Sequence, residues 1–174
     1  MGDLLFGFTE WIRTTQMVEF ALWISDTSLS GWIVTHFWAI PIFQCIHIVA
    51  IAASFSSLLM MNARIFGIAG SSGVVETSQR YIKVLWWAIL VLVLSGILMI
   101  VGEPVRELIN PIFWIKMLLV TFGILVTIWF HKGIIRGLVK GRDISAGAKL
   151  TAVFLIILWC LIILCGRWIA YAPV

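Results

Sequence analysis

Five ionisable side chains of this 174-residue sequence lie within or at the edge of long apolar stretches, where a charged group is costly to place. An imidazole nitrogen is a common axial ligand of haem iron, and lysine and arginine bind anionic groups such as haem propionates. These residue types predict a haem b site, with the histidines as candidate iron ligands and the two cations as partners of the propionates. The five residues are His36, His47, His131, Lys116 and Arg167.

The spacing of the histidines decides which of them are suited to share a haem. On one helix, His36 and His47 share a face but lie about 16 Å apart along the axis. A haem with two histidine ligands needs imidazoles from different helices at one depth, and His47 with His131 meets this requirement best. The remaining three side chains each lie about 6–7 Å below the predicted outer boundary and are expected to form one polar layer there. They are His36, Lys116 and Arg167.

Four of these residues, all except His47, also have a simpler interpretation that the sequence leaves open. His131 directly precedes Lys132, so it is also consistent with a marker of the membrane interface. Long side chains near a helix end can reach the boundary, which accounts equally well for Lys116 and Arg167. His36 is also placed to bond a backbone carbonyl that Pro41 leaves free.

The amino-acid composition indicates whether these five side chains lie in a soluble protein or in a membrane protein. Hydrophobic residues make up 62% of the sequence and charged residues 11%, and the mean hydropathy is +1.11. A soluble domain is about half apolar and about one quarter charged. These values exclude a soluble enzyme, a disordered chain and a disulfide scaffold, and they predict an integral membrane protein in contact with the lipid bilayer.

Four stretches are long enough to cross the hydrocarbon layer as helices, which takes about 20 mainly apolar residues. They are uniformly apolar rather than alternating, which argues against barrel strands. Asn110 and Pro111 give the third stretch an N-cap and a first helical residue. We predict an all-α membrane protein, a four-transmembrane-helix bundle in a single membrane domain of residues 1–174. The spans are predicted at about 32–59, 83–102, 111–131 and 148–170.

The N-terminal stretch 4–25 is apolar but interrupted by Glu10, Arg13 and Glu19, and it has neither a basic leader nor a small-residue cleavage site. This pattern argues against a removable signal peptide. It is typical of an amphipathic helix that lies in the membrane interface.

The distribution of charge predicts the orientation. Segments 60–83 and 131–149 carry eight of the twelve basic residues, whereas the N-terminal stretch and loop 102–110 carry six of the eight acidic ones. The positive-inside rule then places the basic loops in the cytoplasm and both termini in the periplasm. The net charge of +4 is therefore explained by topology, and no nucleic-acid partner is predicted. The basic residues are Arg64, Arg80, Lys83, Lys132, Arg136, Lys140, Arg142 and Lys149.

Several motifs occur in a distinctive order along nearly the whole chain. The first span contains WAIPIFQCIHIVAIA, and MNARIFG, NPIFWIKM and GRWIAY follow. Together these motifs resemble a bacterial family of four-span inner-membrane proteins of unknown function. The resemblance implies an inner-membrane location and lends no activity or site. The motifs lie at residues 38–52, 61–67, 110–117 and 166–171.

More distantly, two histidines on one helix resemble the transmembrane b-type cytochromes, which include the ascorbate-reducible type and membrane subunits of formate dehydrogenases and hydrogenases. Members with two bis-histidine haems need four histidine ligands, and this chain has three histidines. This difference from the cytochrome pattern leaves three interpretations: one bis-histidine haem, a second haem with another ligand or an open position, or no haem.

These observations favour an electron-transfer subunit whose haem b links a periplasmic redox partner to the quinone pool, with quinone as a further candidate ligand. No catalytic residue is assigned, because the sequence lacks HExxH, P-loop and GxSxG motifs and has no carboxylate within a span. Such a chain is better suited to electron transfer or accessory packing than to stand-alone catalysis. One alternative is a non-redox accessory subunit of a larger membrane complex. Another is a membrane protein that binds an anion or lipid through Lys116 and Arg167.

Overall fold

The computed structural model describes residues 2–68, 73–140, 143–169 and 171. Within these residues all regular structure is helical and there is no strand, which confirms the all-α prediction. Eight helices occur in this described part of the chain. They are α1 (Gly2–Arg13), α2 (Met17–Ser25), α3 (Ser28–Thr35), α4 (Ala39–Ile65), α5 (Val74–Gly102), α6 (Pro104–Leu108), α7 (Pro111–Val139) and α8 (Ala146–Trp168).

Four of these helices, α4, α5, α7 and α8, are long and apolar enough to cross a membrane. They contain 27, 29, 29 and 23 residues, and most of the residues in their apolar windows are not buried inside the protein. Uniformly apolar helices whose outer faces are unburied need lipid around them. The predicted number of spans is therefore matched by the helices of the described part. The direction in which they cross the membrane stays a prediction.

Three helix ends extend beyond the predicted span ends in the same way. Helix α4 ends at Ile65 rather than at residue 59, α5 begins at Val74 rather than at residue 83, and α7 ends at Val139 rather than at residue 131. Charged residues end the apolar run, but arginine and lysine are good helix formers, so the helix continues beyond the hydrocarbon. Helix α8 begins at Ala146 and ends at Trp168, and the predicted end at Ala170 lies outside the described residues. Arg142 and the terminal residues 1 and 172–174, which belong to the predicted orientation, also lie outside the described residues.

The prediction that His36 and His47 share one helix is wrong. The chain leaves helical geometry at His36, which is the C-cap of α3 with an extended backbone, and α4 begins only at Ala39. The physical reason is Pro41, whose ring excludes a helical hydrogen bond to the carbonyl four residues earlier. The proline is tolerated in the first turn of α4, so the span begins at Ala39 instead of residue 32.

The N-terminal stretch forms two helices rather than the single one predicted over residues 4–25. Helix α1 ends at Arg13 and α2 begins at Met17. Between them the hydroxyls of Thr14 and Thr15 donate to the carbonyls of Trp11 and Ile12, which ends the first helix. The interfacial position of this region stays a prediction.

The chain groups into two compact units. The first comprises residues 1–49, 91–118 and 164–174, and the second comprises residues 50–90 and 119–163. In the first unit α2 packs against α6, and a buried cluster joins Ala21 to Leu108, Ile112, Phe113 and Ile169. The second unit contains two buried clusters. One includes Leu58 and Trp159, and the other includes Phe130 and Leu155.

The predicted start of α7 is confirmed. Pro111 is its first residue, and the side-chain oxygen of Asn110 accepts a 2.9 Å hydrogen bond from the backbone N–H of Ile112. The Asn110 amide also donates to the carbonyl of Ile169 at 3.2 Å. This fully buried residue therefore caps one helix and holds the segment after α8, both within the first unit.

Candidate functional site

His47 is the best positioned of the predicted iron ligands. It lies in the first third of α4, and its Nδ1 is 2.8 Å from the hydroxyl oxygen of Ser95 on α5. The Ser95 hydroxyl donates its own hydrogen to the carbonyl of Val91 at 2.6 Å, so its oxygen accepts from His47. This assigns the hydrogen to Nδ1 and leaves the lone pair of Nε2 free for a ligand.

The His47 ring packs against α5. A Cβ atom at Gly96 would lie 3.6 Å from the Cε1 atom of His47, an ordinary van der Waals distance, so α5 contacts the ring at this residue. The histidine is half-buried, so part of the residue stays accessible.

Lys116 is a cation whose charge acts on this histidine. It lies near the start of α7, is half-buried, and its ammonium is within electrostatic range of the His47 ring. The Nζ atom lies against Gly166, where a Cβ atom would be only 3.4 Å away. The absence of a side chain at Gly166 thus creates the space that this ammonium occupies.

Glu107 on α6 faces the same ammonium and was not among the predicted site residues. Burial raises the pKa of its carboxyl, and the positive charges of Lys116 and Arg106 oppose the rise. Glu103 adds a smaller repulsion in the raising direction. The loop between α5 and α7 thus places an acid beside a lysine of the membrane-spanning helix.

The other two members of the predicted outer layer have separate surroundings. The Nδ1 atom of His36 is 2.7 Å from the carbonyl of Trp32, and its ring is stacked on Trp32 and edge-on to Trp38. Arg167 is exposed and donates to the hydroxyl of Tyr171 at 2.7 Å, with its guanidinium over the ring of that tyrosine. Each side chain has partners that a structural role would require.

His131 lies in the second unit and, unlike His47, is fully buried and has no side-chain hydrogen bond in the described part. Its side chain is 0% exposed, with the ring of Phe130 edge-on at 5.3 Å. Neither ring nitrogen has a hydrogen-bond partner among the described residues. An imidazole always presents at least one N–H donor, so these nitrogens need a partner that the described side chains do not supply.

Two further polar side chains of the second unit share this condition. Asn62 on α4 and Ser78 on α5 are both 0% exposed. The Asn62 oxygen and the Ser78 hydroxyl have no partner in the described part of the chain, and the Asn62 amide makes one long bond of 3.5 Å to the carbonyl of Ala152. A weak sequence signal was present, because Asn62 belongs to the MNARIFG motif.

The sequence therefore identified the two deep histidines but missed most of the groups around them. Ser95 is the clearest omission. Ser95 is the lone hydroxyl-bearing residue in the apolar run of residues 84–101, which was a readable signal. The described residues contain no group of three or more histidine, cysteine or acidic side chains that would hold a metal ion by themselves. The pairing of His47 with His131 stays a prediction.

Comparison with known families gives one match. The model of a family of unknown function (DUF6644) matches residues 20–172, a range that includes every predicted site residue. The chain belongs to this family. Membership in DUF6644 agrees with the family of unknown function that the sequence motifs resembled, whereas bacterial origin and the likeness to b-type cytochromes stay predictions. No curated protein and no solved structure matches the chain.

Proposed function

We propose that this protein is a membrane electron-transfer subunit that holds haem b through Nε2 of His47. One observation carries the proposal: Ser95 accepts the Nδ1 hydrogen of His47, and the free lone pair lies within an apolar helix. Ligating histidines almost always donate the N–H of their second ring nitrogen to a fixed acceptor in this way.

The residues present fit a haem unequally. His47 offers a nitrogen lone pair beside Gly96, and Lys116 offers a positive charge to a propionate. His131, the predicted second ligand, also has nitrogens without a protein partner, but its ring is fully enclosed. Ligation by His131 therefore requires the side chains around its ring to open.

A bound haem would supply one-electron chemistry, and the protein would set its ligation and surroundings. In this proposal Ser95 fixes the tautomer and orientation of His47. Lys116 places a positive charge near the site. The redox partner is a periplasmic protein and the acceptor or donor within the membrane is a quinone.

The deciding experiment is an oxidised-minus-reduced visible spectrum of the purified full chain, with haem extracted and counted per chain. We expect a b-type spectrum that disappears in His47→Ala without loss of membrane insertion. His36→Gln is the matched control, because His36 bonds a backbone carbonyl and should leave the spectrum unchanged. Colourless protein from cells supplied with haem, or an unchanged spectrum in His47→Ala, would refute the proposal.

A second candidate is a membrane protein that binds an anionic head group. It is favoured by one contact, since the Lys116 ammonium lies against Gly166, the residue before Arg167. Under this candidate, vesicles with anionic lipid raise the melting temperature of the wild type more than that of Lys116→Met. An equal rise in both proteins would remove the candidate, and the visible spectrum separates it from the haem proposal.

A further inference from the structure

Side-chain contacts in the second unit place its unpartnered polar groups along the helices. The indole N–H of Trp159 on α8 donates to the hydroxyl of Thr127 on α7 at 3.2 Å, so these two residues are level. One turn further along α7 lies His131, and one turn back along antiparallel α8 lies Leu155. Ala152, which Asn62 contacts, is three residues from Leu155. His131 and Asn62 are therefore within about 5 Å of one another along the helix axes.

Ser78 belongs to the same layer. A small cavity is lined from Ile82 to Ile89 on α5 and from Ile124 to Ile128 on α7, so these two stretches are level. Ser78 is one turn before Ile82, and the equivalent position on α7 lies within about one turn of His131. Three fully buried polar side chains from three helices thus lie in one layer, and each has an atom without a partner in the described part of the protein.

The hydrogen-bonding groups of this layer define what would bind there. The Asn62 oxygen accepts, the Ser78 hydroxyl donates and accepts, and a neutral imidazole does both through its two nitrogens. The three groups carry no fixed charge, so the complementary ligand is neutral and has both donors and acceptors. All three side chains are 0% exposed, so the ligand must be small enough to lie fully enclosed between the helices, which excludes an organic head group.

We propose that Asn62, Ser78 and His131 bind a small cluster of ordered water molecules inside the second unit. Water satisfies an acceptor, a hydroxyl and two ring nitrogens at once, as buried water commonly does for otherwise unpaired groups. The cluster makes His131 a hydrated, proton-exchanging group within an apolar helix. If His131 also ligates haem, which rests on the proposed function, the water orients its other nitrogen as Ser95 orients His47.

Polarisation transfer from water to the ring N–H of histidine tests this site directly. The experiment uses the full chain in lipid bilayers with histidine labelled in its ring nitrogens, and His131→Phe identifies the signal. We expect a water cross-peak to His131 in the wild type and its loss in the Asn62→Leu/Ser78→Ala double variant. Ser57→Ala is the matched control, because Ser57 is equally buried on α4 but its hydroxyl already donates to the Ala53 carbonyl.

The results separate this site from the haem proposal. Absence of the water cross-peak in the wild type, or its persistence in the double variant, overturns the water site. If the double variant does not fold, Ser78→Ala alone removes one hydroxyl and should weaken the cross-peak, and an unchanged intensity contradicts the site. Haem is counted in the same samples, so colourless protein with a water cross-peak removes the haem and keeps the water.

Discussion

The two compact units treat their buried polar side chains differently. In the first unit the Nδ1 atom of His47 is bonded to Ser95, and Asn110 uses both ends of its amide. In the second unit Asn62 and His131 are equally or more deeply buried, yet each has atoms without a partner in the described part. Buried polar groups without partners are rare in native proteins and point to a bound molecule. The comparison separates groups that hold the fold from groups available to a ligand.

The strongest test compares two asparagines that are both 0% exposed. Asn110→Leu removes a helix N-cap and a bond to Ile169, and we expect it to lower the free energy of unfolding by about 2 kcal/mol. Asn62→Leu removes one long bond and contacts to water, and should cost about 1 kcal/mol or less. Thermal unfolding in detergent measures both. Equal losses would show that the two units treat buried amides alike.

The second test asks whether the second unit depends on the polar pair that it does satisfy. Thr127→Val keeps the side-chain shape but leaves the indole N–H of Trp159 buried and unpaired, which costs about 1–2 kcal/mol. Thr151→Val is the matched control, since its hydroxyl donates to the Gly147 carbonyl of its own helix and should cost about 0.5 kcal/mol or less. Equal stability of the two variants would mean that the Trp159 bond contributes nothing.

Ser95→Ala tests the first unit at its candidate ligand. The substitution leaves the Nδ1 hydrogen of half-buried His47 without its acceptor, and we expect a loss of about 1 kcal/mol in stability. If haem is bound, its midpoint potential should also shift, because the acceptor raises the basicity of the ligating imidazole. Redox titration followed by absorbance measures the shift. An unchanged potential with haem still bound would show that Ser95 does not orient the ligand.

The sequence predicted the fold better than the site, and particular residues show why. Apolar run length and Asn110–Pro111 were sufficient for the number of long helices and for the start of α7, because both signals are local. Pro41 was recognised as a kink, but its effect was placed inside the span rather than before it, so His36 was assigned to the wrong helix.

The partners of the deep histidines were not predictable from local signals. Ser95 lies 48 residues from His47, and their pairing depends on the register between α4 and α5. Glu107 lies on α6 and Gly166 lies on α8, so their positions beside Lys116 depend on how these helices pack against α7. Residue type alone identified His47 and His131 as costly to place in lipid. Only the structure shows that the His47 ring has a side-chain hydrogen bond and that the His131 ring has none in the described part.

The smallest expected effect belongs to Glu107, the partly buried acid of the first unit. Because burial raises its pKa, the native state holds the proton more tightly than the unfolded chain, whose carboxyl titrates near the ordinary value of 4.5. The free energy of unfolding should therefore fall as the pH rises from about 4.5 through the raised native pKa. Glu107→Gln removes this slope, and Glu107→Asp, which keeps a carboxyl, retains it. If the pH dependence of the free energy of unfolding is unchanged in Glu107→Gln, another group is responsible for it.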